Sequence, residues 1–382
     1  MERLVYVDNS ATTRLDDRVL KEMMPFLEEG YGNASSSYSI GIRSREAVEN
    51  ARKKVAKAIN ACECEIYFTS GGSEADNMII KGIARANQEK GKHIITSSIE
   101  HLAVLNSCYS LAREGFEITY LPVDENGMIS LKELENSIRK DTILISIMFA
   151  NNEIGTIEPI KEIGKVAKAH NIYFHTDAVQ AIGNVDVDVA ELNIDALSIS
   201  AHKFHGPKGV GAAYIKDGVK FFNLIDGGHQ ECCRRAGTEN VAGIVGMGKA
   251  IEISTENIEE KSNKVKMIRD YCYRKLLELD NKIKLNGNFE NRLPGNLNIC
   301  FEGIDNKNLL LLLDMNGICV STGSACNSSV SIPSHVLTAI GCDSKRANSS
   351  IRLSFGDTNS FEEVEYIIEV IKNNLEMMKE GK

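Results

Sequence analysis

The sequence predicts an α/β protein: a large unit on a mostly parallel seven-stranded sheet, plus a smaller C-terminal α/β unit. Three observations predict it. Seven runs of strand-type residues lie between positions 66 and 215. Helical stretches of about ten or more residues separate most of them, and such crossovers join parallel strands. Near residues 255–262 the chain turns into a charged helix, after which a shorter series of strands and helices begins.

Taken in order, "SREAVENARKKVAKAIN" (44–59) places Ala47, Ala51, Val55 and Ala58 on one helical face. The strand "IYFTS" (66–70) runs through a glycine turn into the helix "SEADNMIIKGIARANQ". Strand 93–97, helix 101–114 and strand 116–121 follow. Then come "TILISIMFA" (142–150), a helix over 159–170, "NIYFHTDA" (171–178), "DALSISAHK" (195–203) and "VGAAYI" (210–215). A Gly-rich helix (241–254) closes the series and leads to "NIEEKSNKVKMIRDYCYRKLLELDNK". Strand "NLNICF" (296–301), helix 306–316, strand 318–321, helix 333–340, strand 350–355 and a helix from 361 make the second series. The expected division is a large unit over 16–257 and a small unit of 1–15 with 258–382, the latter carrying a loop at about 321–332.

With 382 residues, 43% of them hydrophobic, the chain has ample material for a core. A net charge of −9 argues against a dedicated nucleic-acid or anionic-membrane binder. The densest apolar run, "LLLLLD" (309–314), falls far short of the roughly 20 residues of a membrane span and reads as helix core. The start, "MERLVYVDNS", has no basic stretch leading into an apolar one, so no export signal is expected. Ten cysteines lie far below the roughly 8–10% of a disulfide scaffold. Reduced thiols and a cytoplasmic location are the expectation.

Ligands of open parallel sheets bind beyond the carboxyl ends of the strands. Five strands deliver polar groups there. Strand 66–70 ends in "GGSEADN", whose helix start offers free N–H groups to a phosphate. The others deliver His101, Asn151 with Asn152, Asp177 with Gln180, and Ser200 with His202 and Lys203. Singly, each has a plain structural reading: a packing turn, a helix-start histidine, a turn-capping aspartate. His202, His205, Cys232 and Cys233 raise zinc, but adjacent cysteines rarely chelate one tetrahedral ion, so no metal is expected. A lysine beside a phosphate subsite and a strand-end carboxylate fits pyridoxal 5'-phosphate. Lys203 would hold the aldehyde as a Schiff base, and Asp177 would keep the pyridine nitrogen protonated.

The segments "VDNSATT" (7–13), "EHLAVLNSC", "NNEIGTIEPI", "HTDAVQAIG", "SAHKFHGPKGVG", "RRAGTENVAGIVGMGKA", "GSACNSS" and "SSIRLSFG" (349–356) occur in this order along nearly the whole chain. Together they resemble the cysteine desulfurases of iron–sulfur cluster assembly, fold-type I relatives of the class-V aminotransferases. The resemblance implies a pyridoxal-phosphate enzyme that converts L-cysteine to L-alanine. By the same resemblance, Lys203 is the Schiff-base lysine and proton shuttle, Asp177 the pyridinium partner, and Gln180 a donor to the ring hydroxyl. His101 stacks on the ring and serves as acid–base catalyst. Gly72, Ser73, Ser200 and His202 cradle the phosphate, and Thr238 reaches it from a second subunit, which implies a homodimer. Asn152 and Arg352 hold the substrate carboxylate, a task suited to a guanidinium fork.

Cys326, set in "STGSACNSS" (321–329), matches the nucleophile that takes the sulfur. Small and hydroxylic neighbours suit a carrier that must swing outward with its persulfide. About a dozen residues separate the flanking strand and helix, as in the long-loop branch whose loop reaches a scaffold protein. Such a complex places an iron–sulfur cluster near Cys326. Three departures stand out. Cys232-Cys233 replaces a common Arg-Gly and reads as a sulfur relay or redox sensor, or as variation without a role. "SGGSEADN" stands where relatives often have "SGATESNN", and "GNASSSYS" (32–39) carries Ala34 and Tyr38 for a common Pro and His. A selenocysteine lyase or cysteine-sulfinate-acting relative is the rival enzyme; full alanine release by a Cys326→Ser protein would favour it. A relative that has lost catalysis is the non-enzyme rival, against which Lys203, Asp177, His101 and Arg352 all stand.

Overall fold

The computed structural model describes residues 3–280, 282–322 and 333–380, so Cys326 and the rest of 323–332 lie outside the described residues. Numbered along the chain, the strands are β1 (Val5–Tyr6), β2 (Ile66–Thr69), β3 (His93–Ser97), β4 (Glu117–Leu121), β5 (Thr142–Ser146) and β6 (Tyr173–Asp177). Then follow β7 (Ala196–Ser200), β8 (Gly211–Ile215), β9 (Lys284–Leu285), β10 (Asn296–Cys300), β11 (Ile318–Cys319) and β12 (Ser350–Ser354).

The central sheet has seven strands in the order β2-β8-β7-β6-β5-β3-β4. It is parallel from β4 through β7, while β8 runs antiparallel to both its neighbours. β3, β5 and β7 are buried along their whole length, as strands covered on both faces must be. Successive side chains point to opposite faces. Ile94, Leu144 and Ala196 pack with the helices Gly72–Ala86 and Leu102–Arg113. Their neighbours Ile95, Ile145 and Leu197 pack with Ser39–Ala58, Ile160–Ala169 and Val241–Thr255. Gly248 allows two of these helices to meet, because a Cβ there would lie 2.7 Å from Ala51 Cα.

A three-stranded antiparallel sheet, β12-β10-β9, and the parallel pair β1-β11 form the second layered region. Bridges from Asp8 to Ser354 and from Ser321 to Arg352 tie β1 and β11 to β12. Val5 and Val7 share an apolar cluster with Val265, Leu297, Leu353 and Ile367. Among the described residues no helix is long and apolar enough to cross a membrane.

Details differ from expectation. The strand expected over 142–150 ends at Ser146, yet Ile147 and Phe149 still donate to the His175 and Asp177 carbonyls. The helix expected over 333–340 is His335–Ala339, because Ser334 Oγ caps it by accepting from Val336 and Leu337. Helices Asp17–Glu28 and Leu131–Ser137 were not anticipated, and the first carries Pro25 in its interior.

Candidate active site

Beyond the carboxyl ends of β5, β6 and β7 lies a cavity of about 320 Å3. It is lined by Gly72, Ser73, His101, Asn152, Asp177, Gln180, Ser200, His202, Lys203 and Arg352. These residues lie on a helix start, strand ends and turns and, for Arg352, in the middle of β12, spread over 280 positions of the chain from Gly72 to Arg352. Thr238 is exposed and lines a separate cavity with Thr69, Ser70 and Arg235, so one chain does not bring it to the others. Cys326 lies outside the described residues; on either side of its segment, Ser321 and Ser334 bond to residues that line this cavity. On one side Ser321 pairs with Arg352, whose N–H donates to the Ser321 carbonyl at 2.6 Å. On the other, Ser334 Oγ donates to Glu153 at 2.5 Å and His335 Nε2 lies 2.9 Å from the Glu100 carbonyl.

Lys203 follows β7 on a single helical turn, and its Nζ donates to the Ser10 and Ala11 carbonyls at 2.6 and 2.8 Å. Gln180 Nε2 donates to the same Ser10 carbonyl at 2.9 Å. Asp177 closes β6 and accepts from Val179 N–H at 2.9 Å. Burial pushes its carboxyl up, opposed by the charges of His101 and Lys203. His101 caps the helix Leu102–Arg113 by accepting from Ala103 N–H at 3.1 Å through Nδ1, which leaves the ring hydrogen on Nε2. Burial holds this imidazole below the usual histidine range. Burial likewise lowers His202 to about 4, with Lys203 and Lys208 adding to the effect. Arg352, fully buried, donates to the Asn152 carbonyl at 2.9 Å and to Asp8 at 2.7 Å. Asn151, by contrast, is a turn residue, accepting from Glu153 and Ile154 N–H.

The turn after β2 is shaped by two glycines. Gly71 sits at φ 151°, and a Cβ on Gly72 would come within 2.6 Å of Val179. Arg235 pairs with Glu74 one turn into the helix, at 2.7 and 3.1 Å.

Sequence reasoning gave no role to a second group of residues. Asp76, Glu153 and His335 line the cavity, and Glu100 and His175 lie behind it. Asp76 is buried, leaves Oδ1 without a hydrogen-bond partner, and brings a donor atom within 4.8 Å of donors on His101 and Asp177. Burial, and then Asp177, push its carboxyl well up. Its position four residues after Gly72, on the same helical face, was the available signal. The three donors also have the spacing of a cation site, but the Lys203 charge in the same cavity opposes one.

His175 lies between Ser146 Oγ at 2.9 Å and Ser198 Oγ at 3.1 Å, and burial lowers it to about 3. Between about pH 3 and 6.5 the unfolded ring binds a proton that the folded ring refuses, so stability falls as pH drops through this window. Glu100, raised by burial to about 8, acts oppositely: its contribution is present in acid and is lost as pH rises toward 8. His175→Gln is therefore expected to shrink the loss of unfolding free energy between pH 6 and pH 4 by about 2–3 kcal/mol. Urea titrations at both pH values check this; equal losses in the two proteins would contradict it.

The profile of the class-V aminotransferases matches residues 5–367. A cysteine desulfurase IscS of Clostridium botulinum is 56% identical over 382 residues, covering 100% of this chain and 96% of the relative. The chain belongs to the class-V aminotransferase family. Within this family it groups with the cysteine desulfurases. A solved structure of a NifS-like protein superposes with a TM-score of 0.93 at 41% identity, covering 98% of this chain and 100% of the other. Another, described as SspA in complex with cysteine, gives a TM-score of 0.80 at 37% identity over 93% of this chain and 100% of that one.

The cofactor of class-V aminotransferases is pyridoxal 5'-phosphate, and the residues present fit it. The cavity volume lies in the range of about 300–1,000 Å3 usual for small-molecule sites. Its donor set matches the molecule: an amine for the aldehyde, a buried carboxylate for a ring N–H, and a helix start with hydroxyl and imidazole groups for the phosphate.

Proposed function

We propose that this desulfurase takes sulfur from L-cysteine as a persulfide on Cys326 and passes it to an acceptor protein for iron–sulfur cluster assembly. The observation that carries the reading is a single cavity joining the Lys203 amine, the buried Asp177 carboxylate, His101 and the Arg352 guanidinium. The cysteine-bound relative SspA supports the choice of substrate.

Lys203 would hold the aldehyde, Asp177 the pyridine nitrogen, Gln180 the ring hydroxyl and His101 the ring face. Gly72, Ser73, Ser200 and His202 would hold the phosphate, joined by Thr238 from the neighbouring subunit of a homodimer. When bound, the cofactor withdraws electrons from the substrate's carbon framework. Arg352 and Asn152 grip the substrate carboxylate. With substrate bound, Lys203 Nζ would move the α-proton. The Cys326 thiolate attacks the substrate sulfur, so an S–S bond forms as the C–S bond breaks, and the carbon takes a proton to become alanine. His101, which lines the same cavity, would be the second group for proton transfer.

Supporting the proposed division into 16–257 and 1–15 with 258–382 are the separate apolar clusters of the two regions. A cytoplasmic setting agrees with the nine free cysteines among the described residues. A monomer with full activity would overturn the dimer. The reading as a whole is tested by borohydride reduction of the cofactor-loaded protein followed by peptide mapping. The cofactor is expected on Lys203, and alanine is expected from the unreduced protein with L-cysteine; a label on any other lysine contradicts the reading.

A further inference from the structure

Asp76 lines the cavity from the helix Gly72–Ala86 and has no part in the proposed chemistry. Only 1% of it is exposed, and its Oδ1 has no hydrogen-bond partner among the described residues. An unmatched carboxylate oxygen at such depth is costly, so the group needs a partner in the cavity or a proton of its own. A donor atom of Asp76 lies within 4.8 Å of one on Asp177. At an effective dielectric of about 20, that spacing disfavours two charges by about 300-fold, so the pair keeps one proton.

The surroundings place that proton. Asp177 accepts from the Val179 N–H at 2.9 Å and shares the cavity with the Lys203 amine. Asp76 has a poorer setting for charge. The imidazole nearest to it is His175, whose Nε2 lies 3.7 Å from Oδ1, and burial lowers that ring to about 3, so it is neutral at pH 7. Glu100 is raised by burial to about 8, and burial holds His101 below the usual histidine range, so neither adds a positive charge at pH 7. Burial and then Asp177 push the Asp76 carboxyl well up, against a hydrogen bond with Ser198. Ser146, His175 and Ser198 thus form a hydrogen-bonded chain that ends on Asp76, beside Asp177.

We propose that Asp76 is a positioning residue: it stays a neutral carboxylic acid, turns its O–H toward the Asp177 carboxylate and confines the one negative charge of the pair to Asp177. This inference rests on the reading of Asp177 as the partner of the cofactor's ring nitrogen. Asp177 is then held from two sides, by the Val179 N–H and by Asp76. An asparagine at 76 keeps a neutral donor of the same shape, whereas a leucine offers none.

The first test subtracts the infrared spectrum of cofactor-loaded Asp76→Asn from that of the parent at pH 7. Loss of a protonated carboxylic-acid band is expected; loss of carboxylate bands instead would overturn the proposal. The second measures equilibrium binding of pyridoxal 5'-phosphate to the full-length chain. Asp76→Leu is expected to raise the dissociation constant about tenfold, and Asp76→Asn to stay within about threefold of the parent. A Leu variant that binds like the parent, or an Asn variant as weak as the Leu variant, would also overturn it. Circular dichroism shows whether each variant is folded, and the infrared result on the isosteric Asn variant holds without the Leu variant. Borohydride labelling separates the two readings. Cofactor on Lys203 with a carboxylate at position 76 removes this inference alone, whereas cofactor on another lysine removes the reading beneath it as well.

Discussion

Lys203→Ala is expected to lower alanine formation from L-cysteine by about 10^4-fold, because two proposed functions leave with one nitrogen. The first is the covalent anchor for the cofactor aldehyde. The second is proton transfer at the substrate's α-carbon. Lys203 Nζ also satisfies two carbonyls, Ser10 and Ala11, which lose a charged donor in the variant. That loss is worth about 1.5–3 kcal/mol, a modest decrease in stability beside the kinetic effect. Turnover measured with excess cofactor, together with a thermal melt, separates the two. A variant that melts within a few degrees of the parent but makes alanine at the parental rate would refute the assignment.

Asp177→Asn is the second large effect, with an expected fall of about 10^3-fold in turnover and weaker cofactor retention. The amide keeps the acceptor that Val179 N–H uses, so the turn after β6 survives. What would disappear is the negative charge proposed to face the ring nitrogen, in a pocket where the Lys203 ammonium is a nearby cation. Turnover and cofactor dissociation measured side by side check this. Unchanged values for both would place the charge elsewhere, Asp76 being the nearest alternative carboxyl.

How legible the fold was depended on the kind of information. Alternating buried strands and helices announce themselves through hydrophobic runs, and all seven strands of the large sheet lie within the expected runs. Strand direction is not written in such runs, so the antiparallel course of β8 between β7 and β2 emerges only from the pairing. The helix Asp17–Glu28 was missed because Pro25 in its interior breaks the ordinary helical pattern, and its burial against Val241–Thr255 supplies what propensity lacks.

At the site, residues placed directly after strands were readable, because sheet geometry sends strand ends to one edge. Asp76, Glu100, Glu153 and His175 were not. Each matters through burial and a partner distant in sequence, such as Ser198 for His175 or Ser334 for Glu153. A single acidic or imidazole residue in a helix or strand carries no local mark of such a partner.

The most direct test of the account follows sulfur itself. The cofactor-loaded protein is given L-cysteine without an acceptor, alkylated, and mapped by mass spectrometry while alanine is counted. The account predicts one added sulfur on the peptide containing Cys326, in step with the first equivalent of alanine. Alanine formed while that peptide gains no sulfur, or formed at the parental rate by Cys326→Ser, would contradict it.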